Sequence, residues 1–395
     1  MCVYYKNKQT FDILLPMKAY KINEIPAKRI LGRNVDGAGE KEAPLMLFWG
    51  AAALEVNVKS SEVWIQVSSD YDVYEPWIRV EVNGAVISRF MVCKGEPQWI
   101  CIARGMNKEK ENLISIIKDT QPMSDDSKHL LLIHQVGLDD DGVFCKPVPR
   151  ELSIEFVGDS ITSGEGLAGM PNEQDWITQW FCAGKTYAVQ LAKRLNADFS
   201  MMSQCGWGIC WGWNGDRNSA IPPHYENVCS VLNGEKQIQL GAKEKYSFKK
   251  ESDFIIINLG TNDNGAFFQP PWKDASGKEY ILKTNEYEKA CEEDGSFIAD
   301  SVKSFLKTIR SHNKKAVIIW CYGMITMEAI PEFIARGIDE YKREANDNNV
   351  YLLKLDSMDY VEEFLEDKGS RGHPGPKTHK LAAEKLYTFI RNLNF

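Results

Sequence analysis

The 395-residue chain contains no apolar run near the roughly 20 residues that a membrane-spanning helix requires. A helical membrane protein is thereby excluded. It also lacks any lysine- or arginine-rich stripe, and its formal net charge is −8. Proteins that grip nucleic acid concentrate positive charge, so nucleic acid is not an expected partner. No Cys-x-x-Cys occurs among the ten cysteines and no His-Glu-x-x-His among the six histidines. His373 and His379 stand six apart and the other histidines are isolated, so no metal and no cofactor is predicted. The start, Met1-Cys2-Val3-Tyr4-Tyr5-Lys6-Asn7-Lys8, has neither the apolar core nor the cleavage site of a secretory signal. If the chain is complete, this predicts a cytoplasmic protein. Cysteines scattered through apolar segments (Cys93, Cys101, Cys321) fit a reducing compartment. Internal repeats and low-complexity tracts are missing as well.

With 44% hydrophobic residues, the chain can bury a large core and is long for one domain. Residues 1–149 read as mostly strand. Val63, Ile65 and Val67 alternate with Trp64 and Gln66, and Ile78, Val80 and Val82 alternate with Arg79 and Glu81. Asn83-Gly84 then supplies a hairpin turn. Further runs lie at 99–103, 113–117 and 130–136. Short strands without intervening helices predict a β-sandwich, with residues 139–142 and 146–149 as its linker. In residues 150–395 strands and helices alternate. Strands are predicted at 152–157, 254–259, 316–322 and 350–355, and helices at 187–195, 297–311, 331–346 and 376–393. That rhythm specifies an α/β domain with a parallel sheet.

Chemistry-bearing residues stand where the predicted elements stop. The apolar run ending in Val157 gives way to Gly158-Asp159-Ser160, then to the glycine-rich turn Ser163-Gly164-Glu165-Gly166. A serine at the carboxyl end of a buried strand is where an open α/β sheet places its chemistry. Taken alone, Gly-Asp-Ser would be read as a strand terminator and helix cap. Two further segments change that reading. Phe254 to Leu259 breaks into Gly260-Thr261-Asn262-Asp263, where the Asn262 amide is a donor of the kind that stabilises an oxyanion. His373 precedes Pro374, which disfavours helix at the histidine and leaves the imidazole on a loop.

Ser160, Asn262 and His373, in that order and each at an element end, resemble the SGNH (GDSL-type) hydrolase family from Glu151 onward. The family's glycine maps into Gln204-Cys205-Gly206-Trp207-Gly208. The upstream β-rich domain, Pro222-Pro223-His224-Tyr225 and the His-Pro pair are most similar to carbohydrate esterase family two. The resemblance implies a flavodoxin-like hydrolase domain behind a jelly roll, and removal of acetyl groups from carbohydrates; the expected cytoplasmic location, where glycans arrive already short, limits these to short oligosaccharides. It implies Ser160 as nucleophile and His373 as base. The oxyanion donors would be the Ser160 N–H, the Gly206 N–H (with Gly208 as the alternative glycine) and the Asn262 amide. A lipase, thioesterase or arylesterase would share these residues. A noncatalytic carbohydrate-binding protein is the third class.

The chain departs from the resembled pattern upstream of His373. Most SGNH hydrolases carry an aspartate three residues before the histidine, where this chain has Ser370. Asp367 lies six back. The expectation is a Ser-His dyad in which a backbone carbonyl holds Nδ1 and fixes the tautomer. Asp159 and Asp263 are expected to shape turns. Residues 164–169 match Gly-x-Gly-x-x-Gly, but Met170-Pro171 is a poor helix start for holding a pyrophosphate, so an oxidoreductase is disfavoured. Trp207, Trp211, Trp213 and Trp272 crowd the site-bearing loops. Trp207 and Trp211 are the expected substrate contacts, since a flat aromatic face packs on a sugar ring. The oligomeric state is not readable.

Overall fold

Val63, Ile65 and Val67 are fully buried while Trp64 and Gln66 are half-buried, so the period of two places one face of this strand inside. The computed structural model describes residues 17–359 and 367–393. In the first part, two antiparallel sheets face each other. One orders Lys18–Lys21, Leu130–Leu138, Glu62–Asp70 and Gln98–Arg104, with Leu45–Met46 beside Leu130–Leu138. The other orders Val143–Cys145, Ala53–Lys59, Asn112–Lys118, Trp77–Val82 and Ala85–Met91, with Arg29–Leu31 beside Ala53–Lys59. Val56, Val80, Ile114 and Ile116 of the second sheet meet Ile65, Val67, Leu131 and Ile133 of the first in one core. Asn83 and Gly84 both have positive φ, 53° and 83°, as a two-residue hairpin turn requires.

Residues 139–142 are not linker, as the sequence suggested, but a turn inside this sandwich. The Asp139 carboxylate accepts from Ser60 Oγ at 2.5 Å and from the Ser61 and Glu62 N–H groups at 2.7 and 2.8 Å. The chain then returns as Val143–Cys145 against Ala53–Lys59. The Ala85–Met91 strand escaped the pattern because Val86 and Ile87 are both about half exposed, leaving no buried face to read.

The second part is a five-stranded parallel sheet in the order Ala197–Ser203, Leu152–Gly158, Phe254–Asn258, Val317–Tyr322, Val350–Lys354. The strand second in this domain's sequence lies at the edge beside the first, the doubly wound 2-1-3-4-5 order. Both faces are covered, which is why the inner strands read as unbroken apolar runs. Ile255 and Ile257 point to one face, where the Glu292–His312 and Pro331–Ala345 helices pack. Phe254 and Ile256 point to the other, under the Tyr187–Arg194 and Pro376–Arg391 helices.

Ala197–Ser203 is the strand the sequence reading missed. Asp198 and Ser200 interrupt its apolar residues, as an edge strand permits, and Asp198 is paired with Arg29 and Arg150. The sandwich is docked on this edge. Asp119 accepts from the Gly184 N–H at 2.8 Å while pairing with Arg79 and Arg89, and Trp49 Nε1 donates to the Val228 carbonyl at 2.6 Å.

Candidate active site

Ser160 opens a one-turn helix, Ser160–Ser163, directly after the Leu152–Gly158 strand. Asp159 caps it, its carboxylate accepting from the Ile161 N–H at 3.0 Å. A residue at the first helical position has no intrahelical partner for its N–H, so the Ser160 N–H is free to face a ligand. His373 has extended backbone, as the residue before a proline should. Its Nε2 lies 3.0 Å from Ser160 Oγ, and its Nδ1 lies 3.2 Å from the Arg371 carbonyl oxygen. A carbonyl only accepts, so the proton sits on Nδ1 and the Nε2 lone pair faces the serine hydroxyl.

The oxyanion side is built by the loop after the missed strand. Gln204 N–H donates to the Gly158 carbonyl at 3.3 Å, and Cys205 N–H donates to Gln121 Oε1 at 2.8 Å, which ties the loop to both the serine's strand and the sandwich. Gly206 follows with φ 76°, a conformation that favours glycine. Among the described residues no hydrogen bond uses its N–H. The Gly208 N–H, by contrast, donates to the Ser219 carbonyl at 3.1 Å, so the alternative glycine has no donor to offer. One N–H of the Asn262 amide donates to the Trp207 carbonyl at 2.8 Å. That bond orients the amide and leaves its second N–H.

The two flanking aspartates are structural. Asp263 is fully buried and accepts from the Ile209, Cys210 and Trp211 N–H groups at 2.7, 2.8 and 3.3 Å, folding the loop beyond Gly206. Burial pushes its carboxyl up to about 6, and pushes that of Asp159 up to about 7. Ser370, in the place of the usual aspartate, is fully buried and its hydroxyl has no hydrogen-bond partner among the described residues. The Asp367 carboxylate is turned to the Thr378 N–H.

The tryptophan expectation needs correcting. Trp211 is 1% exposed, stacks on Phe297 at 5.9 Å between ring centroids and donates Nε1 to the Asp263 carbonyl. It is core, not a substrate contact. Trp207 is half-buried and lines a cleft of about 240 Å³ together with Trp213, Trp176, Tyr74, Gln121 and Asp125. Trp213, 54% exposed, is the open aromatic face. Trp176 and Tyr74 meet edge to face at 4.9 Å, so the sandwich contributes part of this wall.

One residue at the centre was missed altogether. Glu165 is 6% exposed, with Oε1 3.3 Å from Arg371 Nε and Oε2 3.5 Å from His373 Nε2. A carboxylate five residues beyond the serine, among glycines, was the available signal. Among the described residues no group of three or more His, Cys, Asp or Glu side chains is placed to hold a metal ion.

A serine hydroxyl facing an imidazole at the carboxyl edge of a 2-1-3-4-5 parallel sheet is the arrangement of an SGNH-type hydrolase. Residues 154–386 match the GDSL-like lipase/acylhydrolase family, and the chain belongs to that family. It is 38% identical to the acetyl xylan esterase Est2A from the rumen bacterium Butyrivibrio proteoclasticus, with a TM-score of 0.89 over 95% of this chain and 99% of that one. It is 23% identical over 348 residues to the cellulase/esterase CelE of Acetivibrio thermocellus, covering 87% of this chain. It is 25% identical over 247 residues to an acetylxylan esterase / glucomannan deacetylase of Cellvibrio japonicus, covering 62% of this chain. The chain spans 37% and 58%, respectively, of the length of these two curated relatives.

Proposed function

We propose that the protein is a serine esterase that removes O-acetyl groups from short oligosaccharides. The observation that carries this reading is the 3.0 Å approach of His373 Nε2 to Ser160 Oγ. Ser160 Oγ attacks the acetyl carbonyl carbon while its proton passes to Nε2. Negative charge develops on the carbonyl oxygen, where the Ser160 and Gly206 N–H groups and the Asn262 amide stabilise it. The intermediate collapses, breaking the bond to the sugar oxygen, which takes the proton from Nε2. Water, deprotonated by the same nitrogen, then releases acetate from the acetyl-serine. The Arg371 carbonyl keeps the reactive tautomer throughout.

The carbohydrate part of the reading is supported by the names of the relatives and by the cleft beside Gly206. Aromatic faces with interspersed Gln121, Asp125 and Asn214 suit a sugar ring and its hydroxyls better than an acyl chain. The size limit follows from a reducing compartment, which unpaired thiols such as Cys101, Cys182, Cys229 and Cys321 support. There the enzyme meets glycans already shortened; fractionation of the source cells tests the location. Acetate release from acetylated xylo- or manno-oligosaccharides, compared with hydrolysis of long-chain acyl esters and thioesters, tests the activity. A large kcat/KM advantage for the long chains would replace the carbohydrate reading with a lipase or thioesterase.

A further inference from the structure

We infer that Glu165 and Arg371 form a positioning pair that sets the charge and orientation of the His373 imidazole, with the Glu165 carboxylate on its Nε2 side and the Arg371 carbonyl on its Nδ1 side. This rests on the reading of Ser160 and His373 as the reacting pair.

The geometry begins with the glycines at 164–169. Gly166 (φ 73°) packs so closely on the histidine loop that a Cβ there would lie 2.4 Å from the Ser370 carbonyl oxygen, and one on Gly369 would lie 2.3 Å from the Gly166 carbonyl oxygen. The Ser370 N–H donates to the Gly166 carbonyl at 3.0 Å across this contact. Two loops thus meet backbone to backbone, and Glu165 is delivered to the ring. Its Oε2 is 3.5 Å from Nε2, while its Oε1 holds Arg371.

Arg371 is itself in the left-handed region, φ 56° and ψ 31°, which costs a non-glycine residue about 1 kcal/mol or more. Its side chain offsets that cost through Glu165 and through a 2.9 Å bond to the Gln174 carbonyl, while its N–H donates to the Glu173 carbonyl at 3.0 Å. This conformation presents the Arg371 carbonyl to Nδ1. One side chain therefore anchors the carbonyl that fixes the tautomer, and its partner carboxylate lies beside the nitrogen that becomes positive.

The other ionisable groups on this side are Asp159, the Cys205 thiol that donates to Glu165, and His379 on the last helix. Burial pushes Asp159 up to about 7, the thiol well up and His379 down to about 3. Asp159 and the Cys205 thiol also feel the Glu165 carboxylate, so Glu165→Gln relaxes them as well, whereas Arg371→Gly leaves that carboxylate in place.

The test is the titration of the His373 ring by proton NMR, its resonance identified by its loss in His373→Asn, alongside the acidic limb of kcat/KM on p-nitrophenyl acetate. Glu165→Gln should move the ring's titration down, because the imidazolium loses its anionic neighbour. Turnover should fall roughly tenfold. Arg371→Gly keeps the backbone conformation and the carbonyl but removes the guanidinium, and should move the titration up. Opposite shifts support the pair. An unmoved titration in either variant, or shifts in the same direction, would overturn it, since a merely structural Glu165 would lower stability without moving the ring. Should Glu165→Gln not fold, the upward shift in Arg371→Gly decides alone. A wild-type protein that hydrolyses no ester would sink the esterase reading and leave the NMR result to judge the pair.

Discussion

The Asp367 carboxylate accepts a hydrogen bond from the Thr378 N–H at 2.7 Å, in the first turn of the Pro376–Arg391 helix. Nδ1 of His373 is left to the Arg371 carbonyl. Asp367→Ala should therefore lower stability by about 1 kcal/mol, as loss of a cap does, and keep most of the turnover. A drop near 10⁴ in kcat with folding intact would instead assign Asp367 to a triad. Urea denaturation and steady-state kinetics on the same preparation separate the two.

Ser160→Ala and His373→Ala should each abolish acetyl ester hydrolysis and leave the circular dichroism spectrum unchanged. Substantial residual activity in purified Ser160→Ala would end the nucleophile assignment. Asn262→Ala removes one oxyanion donor and should lower kcat by roughly 10²–10³, with little change in KM.

Trp213 and Trp211 should behave oppositely. Trp213→Ala, at the open cleft wall, should raise KM for an acetylated oligosaccharide roughly 3- to 10-fold and leave the unfolding midpoint in place. Trp211→Ala empties a core position and should cost on the order of 3–5 kcal/mol of stability. A binding defect confined to Trp211 would refute this division.

His379 gives a pH dependence of stability. Burial first, and then His373, push its imidazole down to about 3, and its Nδ1 accepts from the Tyr187 N–H at 3.0 Å. The unfolded ring takes up a proton near pH ~6.5. Between those values the unfolded chain binds more protons, so the contribution of His379 is lost as pH falls. Asp159, pushed up to about 7 by burial, has the opposite sign, so the difference between variants is the quantity to measure. His379→Asn keeps the acceptor for Tyr187 and removes the titration. Its stability deficit relative to wild type should shrink by on the order of 2 kcal/mol between pH 6.5 and 5. A constant deficit across that range would count against a buried neutral imidazole.

Much of the hydrolase domain was legible because its inner strands are buried on both faces. Phe254-Ile255-Ile256-Ile257 can hardly be read otherwise, and the residues that end such a run announce the sheet's carboxyl edge. Edge elements were harder. Ala197–Ser203 alternates imperfectly because one side of it meets the sandwich and solvent, and with it went the support for the Gly206 loop. The turn at 139–142 was misread because acidic, glycine-containing segments look alike whether they join strands or domains.

The order of Ser160, Asn262 and His373, the absence of an aspartate at 370, and the two-part organisation were all determined by the sequence alone, because each is a matter of residue type at the end of a periodic segment. Which tryptophan faces the cleft, which glycine N–H is free, and that Glu165 reaches His373 were decided only in three dimensions. The reason is range. Periodicity reports a residue's own element, whereas Glu165 and His373 meet because two glycine-lined loops, more than 200 residues apart, pack closer than any side chain would allow.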